Sequence, residues 1–115
     1  MKLTLSNGVS AVHSLRLDTG SEDATSDNLV RQSPERQKAL QGVGLGKPYV
    51  DYSGVFESVQ LGPYTIHHVW GTSNDKPAVG MEILRRFALV FDVPHRWLYL
   101  EPNLHLHDPV PEPGR

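Results

Sequence analysis

One carboxylate stands where a predicted strand ends, in the segment Asp18-Thr19-Gly20-Ser21. Residues 15–17 alternate between apolar and polar, which is typical of a strand. Glycine accepts the backbone angles of a tight turn, so Gly20 would help to present the Asp18 carboxylate at the surface. A carboxylate presented in this way can accept or donate a proton, which is the chemistry of a general base or acid. Asp18 is the candidate acid, although the same four residues also suit an ordinary surface turn.

A second segment with chemical potential is Gly42-Val43-Gly44-Leu45-Gly46-Lys47, in which three glycines alternate. The spacing does not match a phosphate-binding loop. Pro48, followed by the strand-forming Tyr49 and Val50, stands where such a loop continues into a helix. The alternation instead predicts a hairpin with a glycine-rich tip. A nucleotide site is not expected here.

The six histidines do not predict a metal site. His67 and His68 are adjacent on a predicted strand, so their side chains would point to opposite faces of the sheet. His105 and His107 could chelate an adventitious ion. However, the chain contains no cysteine, and no acidic cluster completes a tetrahedral set. Neither a metal nor another cofactor is expected.

Composition excludes several classes of protein. The 115 residues leave room for one ordinary domain. A net charge of −2 provides no broad basic field, so nucleic acid is not an expected partner. No segment approaches the roughly 20 apolar residues that span a bilayer, so no membrane span is expected. The sequence assigns no compartment: the protein is periplasmic or secreted if a signal peptide has been removed, and cytoplasmic otherwise.

Short strands joined by turns must position the candidate carboxylate. Nine prolines and ten glycines disfavour long helices and favour an all-β fold. The dipeptide Asn7-Gly8 predicts a tight hairpin, whose second strand would run on to Leu17 and end at the Asp18 turn. Further strands are predicted on either side of Gly62-Pro63, and a final hairpin at residues 88–100.

Two short helices are also predicted. Ser33 is a candidate N-cap and Pro34 suits the first helical position, which predicts a helix at residues 34–40. A second helix is predicted at residues 81–87, where apolar residues at i, i+1 and i+4 share one face. Residues 104–115 are rich in proline and lack a periodic pattern that buries surface, so they are predicted to form a tail or linker.

In their order along the chain, these motifs resemble those of the retropepsin-like aspartic proteases, in particular the single-lobe bacterial members. The resemblance extends from about Leu3 to Asn103 and includes the Asp18 turn, the glycine-rich hairpin and an apolar-apolar-glycine-helix unit at residues 78–84. It also includes a closing run, which stands here as Leu84-Arg85-Arg86-Phe87, Phe91-Asp92-Val93-Pro94 and Leu98-Tyr99-Leu100-Glu101-Pro102. The resemblance implies an all-β, closed β-barrel lobe with one or two short helices in residues 1–103, followed by the tail at 104–115.

The same resemblance implies an aspartic endopeptidase in which each of two lobes contributes one aspartate. Asp18 would be that aspartate. The Thr19 hydroxyl would bond the backbone of the other lobe, and Gly20 would let the two turns approach. Ser21 would hydrogen-bond the carboxylate. The partners implied are a peptide or protein substrate and a second lobe, supplied by a homodimer in the leading interpretation.

Gly42, Gly44 and Gly46 would, on this resemblance, form a flap that closes over an extended peptide and supplies backbone hydrogen bonds. The other interpretation of the hairpin is a surface loop that binds no ligand. Two further alternatives stay open for the whole chain. It is one lobe of a longer two-lobed enzyme, which the abrupt Met1 and the proline-rich end favour, or it is a module of the same fold that binds peptides or dimerises without turnover.

Two positions, Met81 and Ala78, differ from the family pattern. In retroviral members an arginine follows the glycine of the apolar-apolar-glycine unit and pairs with an acid just beyond the catalytic turn. Met81 and Glu22 occupy these two places here. The dimer is therefore expected to be held by other contacts. Ala78 replaces a larger branched residue and is expected to pack less tightly against the Asp18 turn.

Overall fold

A computed structural model describes residues 1–14, 16–41 and 49–112, with the backbone alone for residues 39–41 and 49–50. The expected all-β class is confirmed: the part of the chain that the structure describes is mostly strand, at 47% with 9% helix, and the main sheet is a curled half-barrel. The strands are β1 (Lys2–Leu5), β2 (Ser10–Val12), β3 (Arg16–Leu17), β4 (Thr25–Ser26), β5 (Gln37–Gln41), β6 (Tyr49–Leu61), β7 (Tyr64–Thr72), β8 (Ala78–Val79), β9 (Phe87–Asp92) and β10 (Trp97–Pro102). The helices are a 3₁₀ helix (Asn28–Gln32) and α1 (Met81–Leu84).

Eight of the strands form one sheet in the order β2-β1-β6-β7-β4-β8-β3, with β5 paired to β6. Strands β9 and β10 form a separate two-stranded hairpin. Pairing is antiparallel except for β4 with β7 and β3 with β8. This order puts β3, the strand that leads into Asp18, at one end of the sheet. The short strands agree with a chain that glycine and proline interrupt at close intervals.

Two predicted hairpin turns are confirmed at glycines in the left-handed region of backbone space. Gly8 has φ +87° between β1 and β2, and Gly62 has φ +54° between β6 and β7. Glycine reaches these angles without the strain that a Cβ atom would cause. The predicted final hairpin is also present, as β9 and β10.

The predicted helix at residues 34–40 is wrong. Residues 37–41 are strand β5, which pairs antiparallel with β6 from Gln37↔Ser53 to Gln41↔Tyr49. Ser33 does accept a hydrogen bond of the kind expected of an N-cap, because the Glu35 N–H donates to Ser33 Oγ at 3.3 Å. That hydrogen bond forms only a turn. The backbone of residues 37–41 then hydrogen-bonds to strand β6 instead of forming a helix.

The second helix begins where it was predicted but is shorter. It ends at Leu84, and Phe87 is already the first residue of β9. The predicted strand from residue 9 to Leu17 is interrupted as well: β2 ends at Val12, and β3 pairs with β8 rather than continuing alongside β1. None of the helices in the described part of the chain has the length and apolar character needed to cross a bilayer.

The core lies between the sheet, the 3₁₀ helix and α1. Alternate residues of the central strands point into it, as the period of two in a strand requires. The most deeply buried apolar side chains are Leu3, Leu5, Val30, Phe56, Val59, Val69, Val79 and Ile83. Val79 and Ile83 connect this core to the segment that carries Asp18, since they flank the turn at Gly80.

Residues beyond 103 return to the domain. Arg86, which is fully buried, donates to backbone carbonyls of this segment: Leu106 at 3.0 Å, His105 and Pro109 at 3.4 Å each, and Asp108. Val110 is buried in the same core cluster as α1. The expectation that nothing in this segment buries surface is therefore wrong for Val110, while the domain limit at residue 103 stays a prediction.

Candidate active site

Asp18 is placed by a parallel pair of strands. In the pairing of β3 with β8, Leu17 lies opposite Val79, and the Asp18 N–H donates to the Val79 carbonyl at 2.9 Å. Parallel strands that start together also end together. The turn after β3 therefore lies beside the turn at Gly80 and the start of α1.

Backbone groups of the turn orient the Asp18 carboxylate. The Gly20 N–H donates to Asp18 Oδ1 at 3.1 Å, and the Ser21 N–H donates to the Asp18 carbonyl at 3.2 Å. The Asp18 side chain is 38% exposed, and Thr19 and Gly20 are exposed. The turn therefore presents one acceptor-rich carboxylate to solvent. The hydrogen bond that the structure shows from Ser21 goes to the Asp18 backbone carbonyl, whereas the resemblance implied a bond from Ser21 to the carboxylate.

One cation lies near this carboxylate. Arg16 Nη2 is 3.7 Å from Asp18 Oδ2, and about half of the Arg16 side chain is exposed. An ion pair of this length between exposed groups stabilises a protein by less than about 1 kcal/mol. The Arg16 guanidinium therefore leaves Asp18 available to other partners, at little energetic cost.

Gly80 and α1 hold the other side of the turn. The Met81 N–H donates to the Ser21 carbonyl at 2.8 Å, and the Gly80 N–H donates to the Ala24 carbonyl at 2.9 Å. A Cβ atom on Gly80 would overlap the Asp23 carbonyl oxygen and lie 3.0 Å from that of Ser21. Residue 80 must therefore be glycine for the chain segments to approach this closely.

Thr25 is a buried contributor to this site that sequence analysis missed. Its Oγ1 donates to the Ala78 carbonyl at 2.8 Å, which connects the segment after the turn to β8. Ala78 is itself buried at 3% exposure. Threonine is common in strands, so nothing in the sequence distinguishes this hydroxyl from a solvent-facing one.

An open groove of about 490 Å³ adjoins the turn. Its lining includes Leu17, the residue directly before Asp18, and residues from the tip of the β9–β10 hairpin, among them Phe91, Trp97 and Leu98. A smaller apolar cavity of about 150 Å³ lies under the hairpin and shares Leu17 and Leu98 with the groove. Leu17 thus connects the strand that leads into Asp18 with a largely apolar surface formed by the hairpin tip.

The glycine-rich hairpin is described only in its two arms. Gly42, Gly44 and Gly46 lie outside the described residues, so their predicted role as a flap stays a prediction. The arms on either side are β5 and β6, whose last described pair is Gln41↔Tyr49. This pairing agrees with the prediction of a hairpin whose tip contains the three glycines.

Three histidines pair with aspartates instead of gathering around one point. His13 Nδ1 lies 2.6 Å from Asp27 Oδ2, and Asp27 also caps the 3₁₀ helix by accepting from the Leu29 N–H. The other two pairs, His95 with Asp92 and His105 with Asp108, are each three residues apart. Within residues 1–14, 16–41 and 49–112, no group of three or more histidine, cysteine or acidic side chains is arranged to hold a metal ion.

Comparison with known proteins finds no matching family model, no similar curated protein and no similar solved structure. Function must therefore be argued from the chemistry of the site. That argument can rest on a partly exposed carboxylate that a backbone N–H orients, and on the close packing at Gly80 that holds its turn against the start of α1.

Proposed function

We propose that this chain is one lobe of an aspartic endopeptidase with a retropepsin-like fold. Asp18 and its counterpart in a second lobe would activate the water that attacks a peptide bond. The observation that carries the proposal is the half-exposed Asp18 carboxylate, which the Gly20 N–H holds at the end of β3. A carboxylate that acts on a substrate and its attacking water must be accessible from outside the chain, as this one is.

One carboxylate cannot serve as base and acid in the same step. A second Asp18 turn, related by a twofold axis, would bring two like charges together, so that the pair would retain one proton over a range of pH. The ionised carboxylate would accept a proton from water, and the protonated one would donate to the peptide carbonyl oxygen. No metal or nucleophilic side chain is needed for this chemistry.

The position of Asp18 favours such an approach. Strand β3 is last in the sheet order, and Thr19 and Gly20 after it are exposed. A second lobe could reach the turn without displacing a neighbouring strand of the main sheet. The substrate would be an extended peptide, lying between this pair of turns and the arms of the β5–β6 hairpin. Two identical chains supply the second turn most simply, and a second lobe of a longer chain would serve equally.

The test is a matched pair of carboxylate variants, Asp18→Asn and Glu22→Gln. Hydrolysis of an unfolded, internally quenched protein substrate is measured between pH 3 and pH 8, with the full chain at a concentration where it is assembled. We expect Asp18→Asn to lose activity by about 1,000-fold or more, because the pair loses its base, and Glu22→Gln to stay within about twofold of the wild type. The wild-type profile should be bell-shaped and favour acidic pH.

Fold and association are measured on the same preparations. Asn is close to isosteric with Asp, so the melting temperature and the oligomeric state of Asp18→Asn should match those of the wild type. Retained turnover in Asp18→Asn contradicts the assignment of the carboxylate. An assembled wild-type protein that hydrolyses no substrate at any pH favours the alternative, a module that binds peptides or dimerises without turnover.

A further inference from the structure

Two arginines lie over the ring of Tyr52. The guanidinium carbon of Arg31 is 5.1 Å from the ring centroid and that of Arg36 is 5.7 Å from it, both within the range of a cation–π contact. Arg31 belongs to the 3₁₀ helix, Arg36 directly precedes β5, and Tyr52 lies on β6. Three separate segments of the chain therefore bring two positive charges to one aromatic side chain.

Lys38 adds a third cation beside this ring. It lies directly opposite Tyr52 in the antiparallel pairing of β5 with β6, and residues in that relation have their side chains on the same face of the sheet. Residues 28–38 contain three basic side chains and one acidic side chain, although the whole chain has a net charge of −2. We call Arg31, Arg36, Lys38 and Tyr52 the Tyr52 cluster.

The acidic residue of this segment does not neutralise the cluster. The Glu35 carboxylate accepts from the Ser6 hydroxyl at 2.9 Å, and neither Arg36 nor Lys38 forms an ion pair within the described part of the chain. Of the five N–H donors of the Arg36 guanidinium, one on Nη1 donates to the Ser33 carbonyl at 3.2 Å. Both cations are exposed, so another molecule can accept hydrogen bonds from them.

The chemistry of the cluster favours a phosphate monoester as its ligand. A guanidinium that stacks on an aromatic ring keeps its N–H groups in its own plane, where they can donate to two oxygens of one anion. A phosphate monoester carries about −1.5 to −2 charges at pH 7 and has three strong acceptor oxygens, so several cations can bind it together. A carboxylate has one charge, which a single arginine can pair. A nucleic acid would also meet the net negative charge of the chain as a whole.

Strand β5 offers a place for a peptide backbone that carries such a phosphate. Among the described residues β5 has one neighbouring strand, β6, so the N–H and C=O groups of its other edge pair with no strand. An extended peptide can add to an edge of this kind as a further strand. Lys38 lies on this edge strand itself, so side chains of a peptide aligned with β5 would come next to the Tyr52 cluster.

We propose that the Tyr52 cluster binds a phosphorylated side chain of an extended peptide, which aligns along the outer edge of β5. This site requires neither Asp18 nor a second lobe. Four strands, β6, β7, β4 and β8, stand between β5 and β3 in the sheet order, and β3 is the strand that leads into Asp18. The cluster would therefore recognise phosphorylated proteins at a place separate from the candidate carboxylate.

The experiment uses a fluorescently labelled peptide mixture with one fixed phosphoserine and degenerate, uncharged flanking positions. The same mixture without the phosphate and inorganic phosphate as a competitor are the comparison ligands. Fluorescence anisotropy with the full chain at about 1 μM to 1 mM covers the affinity of a weak to moderate complex. The ionic strength is held constant, so that screening is equal in all titrations. Each titration is repeated in Asp18→Asn, so that hydrolysis of the peptides does not alter the result.

The variants separate the cluster from general surface charge. Arg36→Gln and Lys38→Gln each remove one cation. Arg96→Gln and Lys76→Gln are the matched controls, because both of these side chains are exposed and neither forms an ion pair within the described part of the chain. Tyr52→Leu removes the ring and keeps an apolar side chain, whereas Tyr52→Phe keeps the ring. Circular dichroism checks the fold of each variant.

We expect the phosphorylated mixture to bind about tenfold or more tightly than the unphosphorylated one. Arg36→Gln and Lys38→Gln should each weaken its binding by about fivefold or more, because hydrogen bonds between charged groups are the strong ones. Tyr52→Leu should weaken it by about threefold, since the guanidiniums lose the ring on which they stack. Tyr52→Phe, Asp18→Asn and the two control variants should stay within about twofold of the wild type. The exposed cations still decide the matter if Tyr52→Leu fails to fold.

Equal binding of the two mixtures, or binding of neither, overturns the proposal. Control variants that weaken binding as much as Arg36→Gln and Lys38→Gln also overturn it, because the attraction would then come from surface charge in general. Inorganic phosphate that binds as tightly as the phosphorylated mixture contradicts the role of β5 and leaves an adventitious ion only. Failure of the proposed function has a different signature, namely hydrolysis that Asp18→Asn leaves unchanged. That result would not affect phosphopeptide binding, so the two ideas can fail separately.

Discussion

Arg86 and Asp18 are both charged residues, but the first is buried and the second is partly exposed. Arg86 is fully buried, and its guanidinium donates to Glu82 and to backbone carbonyls of the segment beyond residue 103. Asp18 is 38% exposed, with one backbone donor at 3.1 Å and one long contact to Arg16. The first group is buried among contacts within the chain, and the second stays partly accessible to solvent.

Arg86 therefore has the surroundings of a residue that stabilises the fold, and Asp18 those of a residue that can react with another molecule. A guanidinium has five N–H donors in a fixed plane, and a buried one must find an acceptor for each of them. The carbonyls around Arg86 meet this demand, so this side chain connects α1 to the C-terminal segment. A carboxylate that keeps its second oxygen accessible can instead accept a proton from a bound water. The two regions therefore predict different responses to substitution.

The largest effect is expected at Arg86. Arg86→Met removes a fully buried charge and leaves several backbone carbonyls and part of Glu82 without this donor, which should lower the free energy of unfolding by about 3–5 kcal/mol. Arg85→Met is the matched control. Arg85 is exposed and pairs with Glu82 and Asp108, so its loss should cost less than about 1 kcal/mol. Urea unfolding measures both, and equal losses would contradict the distinction between the two arginines.

A second contrast lies between two glycines of the site. Gly80→Ala forces a Cβ atom against the Asp23 carbonyl and should lower the free energy of unfolding by about 1–3 kcal/mol. A Cβ atom on Gly20 would meet only Asp18 Oδ1, at 3.5 Å, so Gly20→Ala should change it by less than about 0.5 kcal/mol. Thermal unfolding of the two variants compares the tightly packed position at Gly80 with the exposed position at Gly20. A larger loss for Gly20→Ala would refute this division.

The smallest effect concerns pH and the C-terminal segment. A hydrogen bond from His105, with a second one from Arg85, lowers the pKa of the Asp108 carboxyl below its ordinary value. Because the folded state lowers this pKa, the carboxylate stabilises the protein above about pH 3.9, and the contribution is lost as pH falls through the folded-state pKa. Asp108→Asn should therefore be less stable than the wild type at pH 5 to 6 and equal to it at the lowest pH. A stability difference that grows as the pH falls would show that the sign is wrong.

Local signals in the sequence predicted the features that depend on neighbours in the chain. The turns at Gly8 and Gly62 were predicted because their residues suit positive φ or a two-residue loop. The β9–β10 hairpin and the start of α1 were predicted from their apolar spacing. The Asp18 turn was predicted to follow a strand, and it does. For the two glycine turns and the start of α1, the deciding interactions lie within a few residues.

Tertiary structure alone decided the features whose partners are distant in the sequence. Residues 37–41 satisfy their backbone hydrogen bonds by pairing with β6, so the helix predicted from Ser33 and Pro34 does not form. Strand β3 finds β8 about 60 residues away, and this pairing places Asp18 beside Gly80. Arginine is usually exposed, so only packing against the C-terminal carbonyls shows that Arg86 is buried. A sequence specifies local turn and strand preferences, but which backbone groups and charges are satisfied within one chain depends on contacts that folding creates.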